Sequence, residues 1–329
     1  RFIKIQIIIF LTLFLFQSKD RLIALIWVIV CSIGFYAVKG GIFTIRTGGH
    51  YMVSGPPESF ISGNTEIGFA IVVMLPLLFY LRTISNQLWI RNVILAAIVF
   101  SAFGIVGTHS RGAFLAGLVL CVFFWLKSKR KFVTFLALAA LVPPVLIFMP
   151  DNYYSKMETI ETYQEDNSAL GRINAWWFAY NLSKDYPQGG GFQVFTRDLF
   201  VKYAPEPERW HDAHSIYFEV LAEQGYIGLT IFILLFVFSF LNCSYVIRQT
   251  RGDPDLQWAN DLGRMTQASF VAYSVGGAFL GLAYFDLLYH LFAIPVLLRV
   301  CVDRELIRCA NKDEFVGSLA EVKQAEWQK

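Results

Sequence analysis

The chain has 329 residues, of which 56% are hydrophobic and only 16% charged. Because a soluble domain carries roughly 25% charged residues, this composition excludes a soluble enzyme. The mean hydropathy is +0.50, and several uncharged apolar runs approach the ~20 residues that a helix needs to cross a bilayer. We therefore expect an all-α, polytopic integral membrane protein that is embedded in the lipid bilayer and does not bind nucleic acid.

The start of the chain and the positions of its cysteines give two further indications. The chain begins with Arg1 rather than Met and shows no signal-peptide pattern, so we interpret it as a fragment that lacks an N-terminal part. The five cysteines have no C-x-x-C spacing and lie in apolar runs or in the C-terminal tail. The sequence therefore predicts neither a zinc site nor a disulfide framework.

Taken in chain order, the apolar runs predict about nine transmembrane helices. Residues 1–149 hold the N-terminal transmembrane helices and a Gly-rich loop at 39–64. Residues 150–213 form a large polar loop with short helices, residues 214–302 hold the C-terminal transmembrane helices, and residues 303–329 form a tail. The nine runs cover residues 2–17, 22–38, 66–81, 92–107, 112–126, 132–149, 226–247, 265–285 and 288–302.

Basic residues in the short loops predict the orientation. One alternate set of loops is rich in Lys and Arg, whereas the opposite set carries only Lys39 and Arg46. Under the positive-inside rule the basic set is cytoplasmic, so the loops at 39–64 and 150–213 face outward and the tail is cytoplasmic. The basic set consists of Lys19, Arg21, Arg82, Arg91, Lys127, Lys129, Arg130, Lys131, Arg248, Arg251 and Arg264.

Ionisable residues at membrane depth usually mark function, and here they collect on the outward side. Arg111 follows the fourth apolar run in GTHSRGAF, where Gly107 and Gly112 would let the backbone bend. A snorkelling interfacial arginine is the alternative interpretation, but such arginines favour the cytoplasmic side. We therefore favour a functional role for Arg111.

A second arginine, Arg172, lies in SALGRINAWWFAYNL. Ser168 is placed to cap a helix there, and Trp176, Trp177 and Tyr180 form an aromatic face of the kind found at membrane interfaces. We expect this helix to lie on the membrane surface. Taken alone, Arg172 fits a solvated surface charge as well as a ligand-binding residue.

The segment DYPQGGGFQVF follows this helix and combines Pro with three consecutive glycines. Such a turn suits a close approach of the backbone to a ligand. A simple bend of the loop explains the pattern equally well.

The densest polar cluster is RWHDAHSIYFEVLAEQGYIG, just before a long apolar run. Residues 214–224 contain no helix breaker and end at Gly225, so we expect His214 and Ser215 at the start of a helix. A neutral His accepts a proton from a hydroxyl near pH 7. A helix N-terminus also favours a nearby phosphate anion.

Other polar residues surround this histidine in the sequence. Asp212 or Glu219 is placed to orient the imidazole ring of His214. Zinc binding by His211 and His214 lacks a third ligand, so we predict no metal ion.

Asp286 and His290 form a last outward pair in GLAYFDLLYHLFAIP. At positions i and i+4 they can share a helix face and pair with each other, either as a clamp between helices or as a catalytic pair. Together, Arg111 and Arg172 suit a diphosphate, since guanidinium groups bind phosphate bidentately and stay charged. With a histidine as base, the residues indicate transfer of a group from a diphosphate to a hydroxyl or amine.

At these residues the sequence resembles the bacterial O-antigen ligase and polymerase superfamily. The hallmark of that superfamily is a His, then Asn, Ser or Gln, nine residues, Gly, two residues and Gly or a similar residue. His214 and Ser215, followed by Gly225 and Gly228, match it completely. THSRGAFLAG and GRINAWW are similar to the two arginine-bearing segments of the family.

A narrower resemblance covers the first outward loop. The stretch CSIGFYAVKGGIFTIRTGGHYMVSGPPESFISGN and the later YFDLLYHL are similar to the O-glycosylation ligases associated with the exosortase A system. The resemblance spans roughly residues 20–302 and is specific as a set of motifs rather than through any single one.

The resemblance implies a metal-independent glycosyltransferase of the bacterial inner membrane that needs no cofactor. Its donor would be a glycan on undecaprenyl diphosphate at the periplasmic face, and its acceptor a protein, a lipid or a polysaccharide. By motif position Arg111 and Arg172 would bind the diphosphate, and His214 would activate or position the acceptor hydroxyl. We also expect Lys39, Arg46 and His50 to close over the donor. Further substrate contacts are expected from His211, Asp212, Ser215, Glu219, Asp286 and His290.

Two alternative functions remain open from the sequence. A polysaccharide polymerase of the same superfamily would share the fold and the donor site and would use another lipid-linked glycan as acceptor. A transporter or binding protein would use the arginines only to hold a lipid-linked anionic glycan. Against the transporter, the charges cluster at one membrane face rather than at the midplane site typical of transporters.

Overall fold

The computed structural model describes residues 2–128, 130–140 and 167–327, together with residue 143. These residues form helices and no strand, which confirms the all-α prediction. In chain order the helices are α1 (Phe2–Leu15), α2 (Lys19–Arg46), α3 (Asn64–Ile84), α4 (Leu88–Gly107), α5 (Arg111–Lys127), α6 (Lys131–Ala139), α7 (Asn167–Asp185), α8 (Arg197–Tyr203), α9 (Ile216–Gln249), α10 (Gln257–Gly277) and α11 (Asp286–Trp327).

Four helices of the described part, α2, α3, α4 and α9, are long and apolar enough to cross a membrane. They contain four of the predicted runs and make the protein a polytopic membrane protein, but they do not support the expected number of nine spans. The runs at 2–17 and 112–126 correspond to α1 and α5, which have 14 and 17 residues. Residues 132–139 of the run at 132–149 belong to α6, while most of its remainder and residues 150–166 of the polar loop lie outside the described residues.

The last two predicted runs are also changed by the structure. The run at 265–285 is displaced, because α10 begins at Gln257 and ends at Gly277, and residues 278–285 form a turn. The run at 288–302 lies in α11, which continues into the predicted tail and ends at Trp327.

The centre of the bundle is α3, which packs against α2, α4, α5 and α10. Its side chains from Ile67 to Met74 are all buried, because a helix that is apolar on every face must be surrounded by other helices. On one side of this centre, α9 and α11 pack against each other and against α10.

Glycines in the second half of α2 correct the boundary of the first outward loop. Lys39 and Arg46 were expected in that loop, but both lie on α2, and only residues 47–63 connect α2 to α3. A Cβ on Gly41 would overlap the backbone carbonyl of Phe100, and a Cβ on Gly104 would lie 2.8 Å from the carbonyl oxygen of Ala37. These glycines allow close packing of α2 on α4 rather than a flexible loop.

Contacts between helix ends define two sides of the bundle. We call the end that carries residues 47–63 the loop side. There the N–H of Val53 donates to the carbonyl of Gly107 at 2.8 Å, and Gly277 packs against Ile216. At the other end Asn260 donates to the carbonyl of Ile247 at 2.9 Å. That opposite end carries the predicted cytoplasmic basic residues of α2, α3 and α9, such as Arg21, Arg82 and Arg248.

The described part of the polar insertion forms a small helical unit on the start of α9. Its core is built around Phe178 of α7, which stacks on Phe200 of α8 with ring centroids 4.3 Å apart. Leu182 and Val194 close this core, and Ala222 of α9 contributes to it. The unit is therefore attached directly to the helix that follows His214.

Candidate functional site

The backbone at His214 has an unusual conformation. Its φ angle is 41°, in the left-handed region that few residues other than glycine adopt. Ser215 follows in an extended conformation as the N-cap of α9, and its carbonyl accepts the N–H of Glu219 at 2.9 Å. The expected helix start is confirmed, and the left-handed turn places His214 just before it. Such strain clusters at functional sites.

Helix α7 holds the segment that precedes His214. The indole N–H of Trp176 donates to the carbonyl of Ala213 at 2.8 Å, and its ring stacks on Phe218 of α9 at 5.0 Å. Trp176 therefore packs inward, contrary to its expected place on a membrane-facing surface. Trp177 and Tyr180 are exposed as that surface requires. Helix α7 itself begins at Asn167, so Ser168 lies in its first turn rather than before it.

Arg172, His211 and His214 form the centre of the site. The rings of His211 and His214 lie 4.5 Å apart. A Cβ on Gly171, next to Arg172, would lie 3.5 Å from the ring of His211. The Nδ1 of His211 donates to the carbonyl of Asp212 at 2.9 Å.

The charge state of His214 follows from these neighbours. Burial of the ring is the largest effect that lowers the pKa of His214, followed by the nearby His211 and Arg172, while Asp212 partly opposes them. Together they bring the pKa of His214 to about 4. Within the described part of the chain, its ring nitrogens make no hydrogen bond. At neutral pH the imidazole is therefore uncharged and can accept a proton.

The turn at 278–285 covers His214 from the other side. A Cβ on Gly281 would lie 3.7 Å from the Cα of His214 and 3.4 Å from Oε2 of Glu219. The same Oε2 accepts the N–H of Ala283 at 3.2 Å. Glu219 was expected to orient the ring of His214, but its Oε2 bonds this turn instead, and its expected contact with substrate stays a prediction. The other expected orienting carboxylate, Asp212, is exposed, and its charge raises the pKa of His214.

Arg111 is the first residue of α5, where the hydroxyl of Ser110 caps the helix by accepting the N–H of Ala113 at 3.1 Å. The bend before it was expected at Gly107 and Gly112. The left-handed residue is instead His109, with a φ angle of 51°. Gly107 is needed for space, since a Cβ there would overlap the hydroxyl of Thr44.

His109 is a site residue that the sequence analysis missed. Its Nε2 donates to the carbonyl of Gly49 at 2.9 Å, so it ties the 47–63 loop to the start of α5. The signal was present as a repeat, because His109-Ser110 and His214-Ser215 both place a left-handed His directly before the N-cap serine of a helix.

The 278–285 turn lies between the start of α5 and His214. Gly112, next to Arg111, lies near the Cβ of Phe279, which a Cβ on Gly112 would meet at 3.9 Å. Gly281 of the same turn faces His214. The charge of Arg172 thus acts on His214, and Arg111 begins α5 close to the short turn that faces His214.

Gly225 explains the triple glycine upstream. It interrupts α9 with φ 65° and ψ −165°. The backbone carbonyls of the residues just before it accept hydrogen bonds from the glycine turn at 189–191. Ala222 and Glu223 accept the N–H groups of Gly190 and Gly191 at 2.9 and 3.0 Å. The glycine turn therefore makes a close backbone approach to the kink of α9.

The remaining expected residues lie outside this centre. The predicted pair of Asp286 and His290 shares the first turn of α11, but Nδ1 of His290 donates to the backbone carbonyl of Asp286 at 2.9 Å, while the carboxylate of Asp286 accepts the N–H of Leu287. Lys39 and Arg46 are exposed on α2, and no contact found among the described residues joins them to His214. No group of three His, Cys, Asp or Glu in the described ranges could hold a metal ion.

Residues 96–233 match the family model described as O-antigen ligase. This range is less than half of the chain, and it contains Arg111, Arg172, His214, Gly225 and Gly228. The match supports the superfamily that the motifs indicate, and with it a membrane glycosyltransferase activity of the ligase or polymerase type. No curated protein sequence matches the chain.

Proposed function

We propose that the protein transfers a glycan from undecaprenyl diphosphate to an acceptor hydroxyl on the periplasmic side of the bacterial inner membrane. The observation that carries the proposal is the pair formed by Arg172 and His214. A permanent cation lies beside an imidazole that is uncharged at neutral pH and whose nitrogens make no hydrogen bond to any described residue. The guanidinium of Arg172 suits binding of a departing diphosphate, and the imidazole of His214 suits proton acceptance from an attacking hydroxyl.

His214 acts as the general base in this reaction. The acceptor oxygen attacks the anomeric carbon of the first sugar, and the proton of the acceptor hydroxyl moves to the imidazole. The bond between that carbon and the diphosphate oxygen breaks, and undecaprenyl diphosphate leaves. The left-handed backbone at residue 214 fixes the ring position, because the turn at 278–285 and Trp176 hold the backbone on both sides.

Arg172 and Arg111 stabilise the leaving diphosphate. Negative charge grows on the bridging oxygen as the bond breaks, and positioned guanidinium groups stabilise it most in the transition state. Arg111 also stands at the N-terminus of α5, where the helix dipole favours an anion. The outward placement of this loop side rests on the basic residues at the opposite end.

Within the superfamily we favour an O-glycosylation ligase of the type associated with exosortase A. The residues that carry this choice are the stretch from Cys31 to Asn64 and the start of α11. In the structure the first stretch forms the end of α2 and the 47–63 loop, which is bonded to the turn before Arg111 through Gly49 and Val53. A subgroup-specific loop at this point would adjoin the donor site.

The test compares cells that lack the protein with cells that carry the wild type or His214→Asn. Asn is preferred to Ala because it tolerates the left-handed region, so the variant removes the base and keeps the turn. We expect undecaprenyl-diphosphate-linked glycans of full length to accumulate without the protein, and only the wild type to clear them. Wild-type clearance by His214→Asn would refute the assignment.

A matched pair of arginine variants tests the donor site. Arg172→Gln should reduce transfer by at least about a hundredfold, the loss typical of one oxyanion-binding group. Arg197→Gln, on the exposed start of α8, should leave the rate unchanged. Both proteins should appear in the membrane fraction in equal amounts, so that loss of activity is separated from loss of the protein.

The same cells distinguish the alternatives. Accumulation of single repeat units in place of long chains would identify a polymerase. An unchanged lipid-linked pool in every strain, with efflux of intact substrate from proteoliposomes, would identify a transporter or binding protein.

A further inference from the structure

A cavity outside the candidate site lies between α2 and the 47–63 loop. It has a volume of about 400 Å³. Helix α2 contributes Tyr36, Lys39 and Phe43, and the loop contributes a wall that runs from Met52 to Pro57. The cavity is thus lined by aromatic and proline side chains together with polar groups, among them one ammonium group.

Lys39 is the only cation among the residues that line this cavity. It is exposed, and it makes no ion pair or hydrogen bond that we find within the described ranges. An unpaired ammonium beside aromatic walls matches a single negative charge better than the two or three charges of a diphosphate. Charge complementarity therefore points to a phosphodiester.

The depth of Lys39 fits the phosphate layer of a membrane. It lies 20 residues beyond Lys19, the first residue of α2, so the two are separated by about 30 Å along the helix, which is close to the thickness of the hydrocarbon core. Lys19 stands at the basic end of the bundle, and Lys39 therefore stands where the other leaflet's headgroups begin. Phe35 and Ile42 of the same helix are exposed, as residues facing acyl chains would be.

The wall of the cavity is bonded to the turn that carries Arg111. Val53 is buried between two glycines: a Cβ on Gly40 would lie 2.8 Å, and a Cβ on Gly107 3.0 Å, from its methyl groups. Its N–H donates to the carbonyl of Gly107. A ligand that orders this wall would therefore also order the start of α5.

We infer that this cavity binds the phosphodiester headgroup of one anionic phospholipid of the outward leaflet, with Lys39 as its counter-ion. The site is separate from the one that holds Arg172 and His214. Its occupant stabilises the 47–63 loop and, through Val53, the turn before Arg111. The inference depends on the membrane fold and not on the transfer reaction.

The test is a binding titration of the full chain in nanodiscs of phosphatidylcholine with increasing phosphatidylglycerol, read by native mass spectrometry and by thermal unfolding. We expect one phosphatidylglycerol to be retained and the unfolding midpoint to rise. Lys39→Met, which keeps the length of the side chain, should weaken retention by about tenfold, as expected for loss of one charge-assisted phosphate contact. The control Lys127→Met, at the opposite end of α5, should retain the lipid.

A second variant separates the cavity from the charge. Ser54→Phe keeps Lys39 and fills the space, and it should also lose the lipid. Equal retention of phosphatidylglycerol by wild type and both cavity variants would overturn the inference. So would equal stabilisation by phosphatidylcholine alone. Displacement of phosphatidylglycerol by a polyprenyl diphosphate, lost in Lys39→Met, would reassign the cavity to the donor lipid.

Discussion

Replacement of Gly225 by Ala tests the most constrained point of the site. Gly225 has φ 65° and ψ −165°, a region that only glycine occupies without strain. A Cβ at this position would overlap the carbonyl oxygen of Pro187 and lie 2.5 Å from both Gln188 C and Gly189 N. These are backbone atoms of a hydrogen-bonded turn, so the overlap cannot be relieved by a side-chain rotation and requires the turn itself to move.

The expected loss of stability follows from these contacts. The dihedral strain alone costs about 1–3 kcal/mol. If the glycine turn is pushed away, three hydrogen bonds are lost as well: Tyr226 N–H to Pro187, Gly190 N–H to Ala222 and Gly191 N–H to Glu223. At roughly 1 kcal/mol each, they bring the destabilisation of Gly225→Ala to about 4–6 kcal/mol.

Two control variants separate the effect of dihedral strain on the free energy of unfolding from the effect of the clash. Gly191 has φ 89° but nothing within 4 Å of an added Cβ, so Gly191→Ala adds dihedral strain without a clash and should cost about 1–2 kcal/mol. Gly34 lies inside α2 and also has free space, so Gly34→Ala should be neutral or stabilise by up to about 1 kcal/mol.

The assay is unfolding of the purified protein in detergent, followed by glycan transfer in membranes. Gly225→Ala should be the least stable of the three and should lose transfer, because the displaced turn no longer supports the first half of α9. A stability loss for Gly225→Ala that does not exceed that of Gly191→Ala would show that the kink does not depend on contact with the glycine turn.

Two further predictions concern His214 and its support. Because His214 must be uncharged to accept a proton and its pKa is lowered to about 4, kcat/KM should fall only as the pH drops toward that value, well below the ordinary 6.5. His211→Asn should move this acidic fall in kcat/KM to higher pH. A fall at the same pH in the variant would show that His211 does not act on His214. Trp176→Phe keeps an aromatic ring against α9 but loses the hydrogen bond to Ala213, so the free energy of unfolding should fall by about 1 kcal/mol. Trp177→Phe, at an exposed position, is the control. Equal effects of the two substitutions would contradict the assigned contact.

Apolar runs predicted much of the fold, because the thickness of the bilayer sets the length of an apolar spanning helix. They could not separate a glycine in a loop from a glycine in a close helix contact. Gly41 and Gly104 allow α2 and α4 to approach, a fact that depends on a partner helix about 60 residues away. For the same reason Lys39 and Arg46 were assigned to a loop, although they stand on a helix.

The position of the motif residues in the fold was predicted better than the contacts that support them. The hallmark motif identified His214 and the start of α9, since a helix start is a local property. The partner of the triple glycine lies more than 30 residues downstream, at Gly225, and local sequence shows only that the backbone is free to bend. The left-handed conformation of His109 was missed because His, although enriched in that region, adopts it only uncommonly, and its resemblance to His214-Ser215 is seen only once both backbones are known.

Three helices begin at the loop side around the 278–285 turn: α5 at Arg111, α9 after Ser215 and α11 at Asp286. Each N-terminus carries partial positive charge, which adds to the charge of Arg172. This positive charge favours an anion in the site, and the charge of Arg172 is one cause of the lowered pKa of His214, after burial of the ring and the nearby His211. A bound diphosphate would reverse the effect, because its negative charge favours the imidazolium. His214 would then be a weak base in the empty site and a stronger one when the donor is in place, so that proton acceptance from the hydroxyl is linked to the presence of the glycan that the hydroxyl attacks.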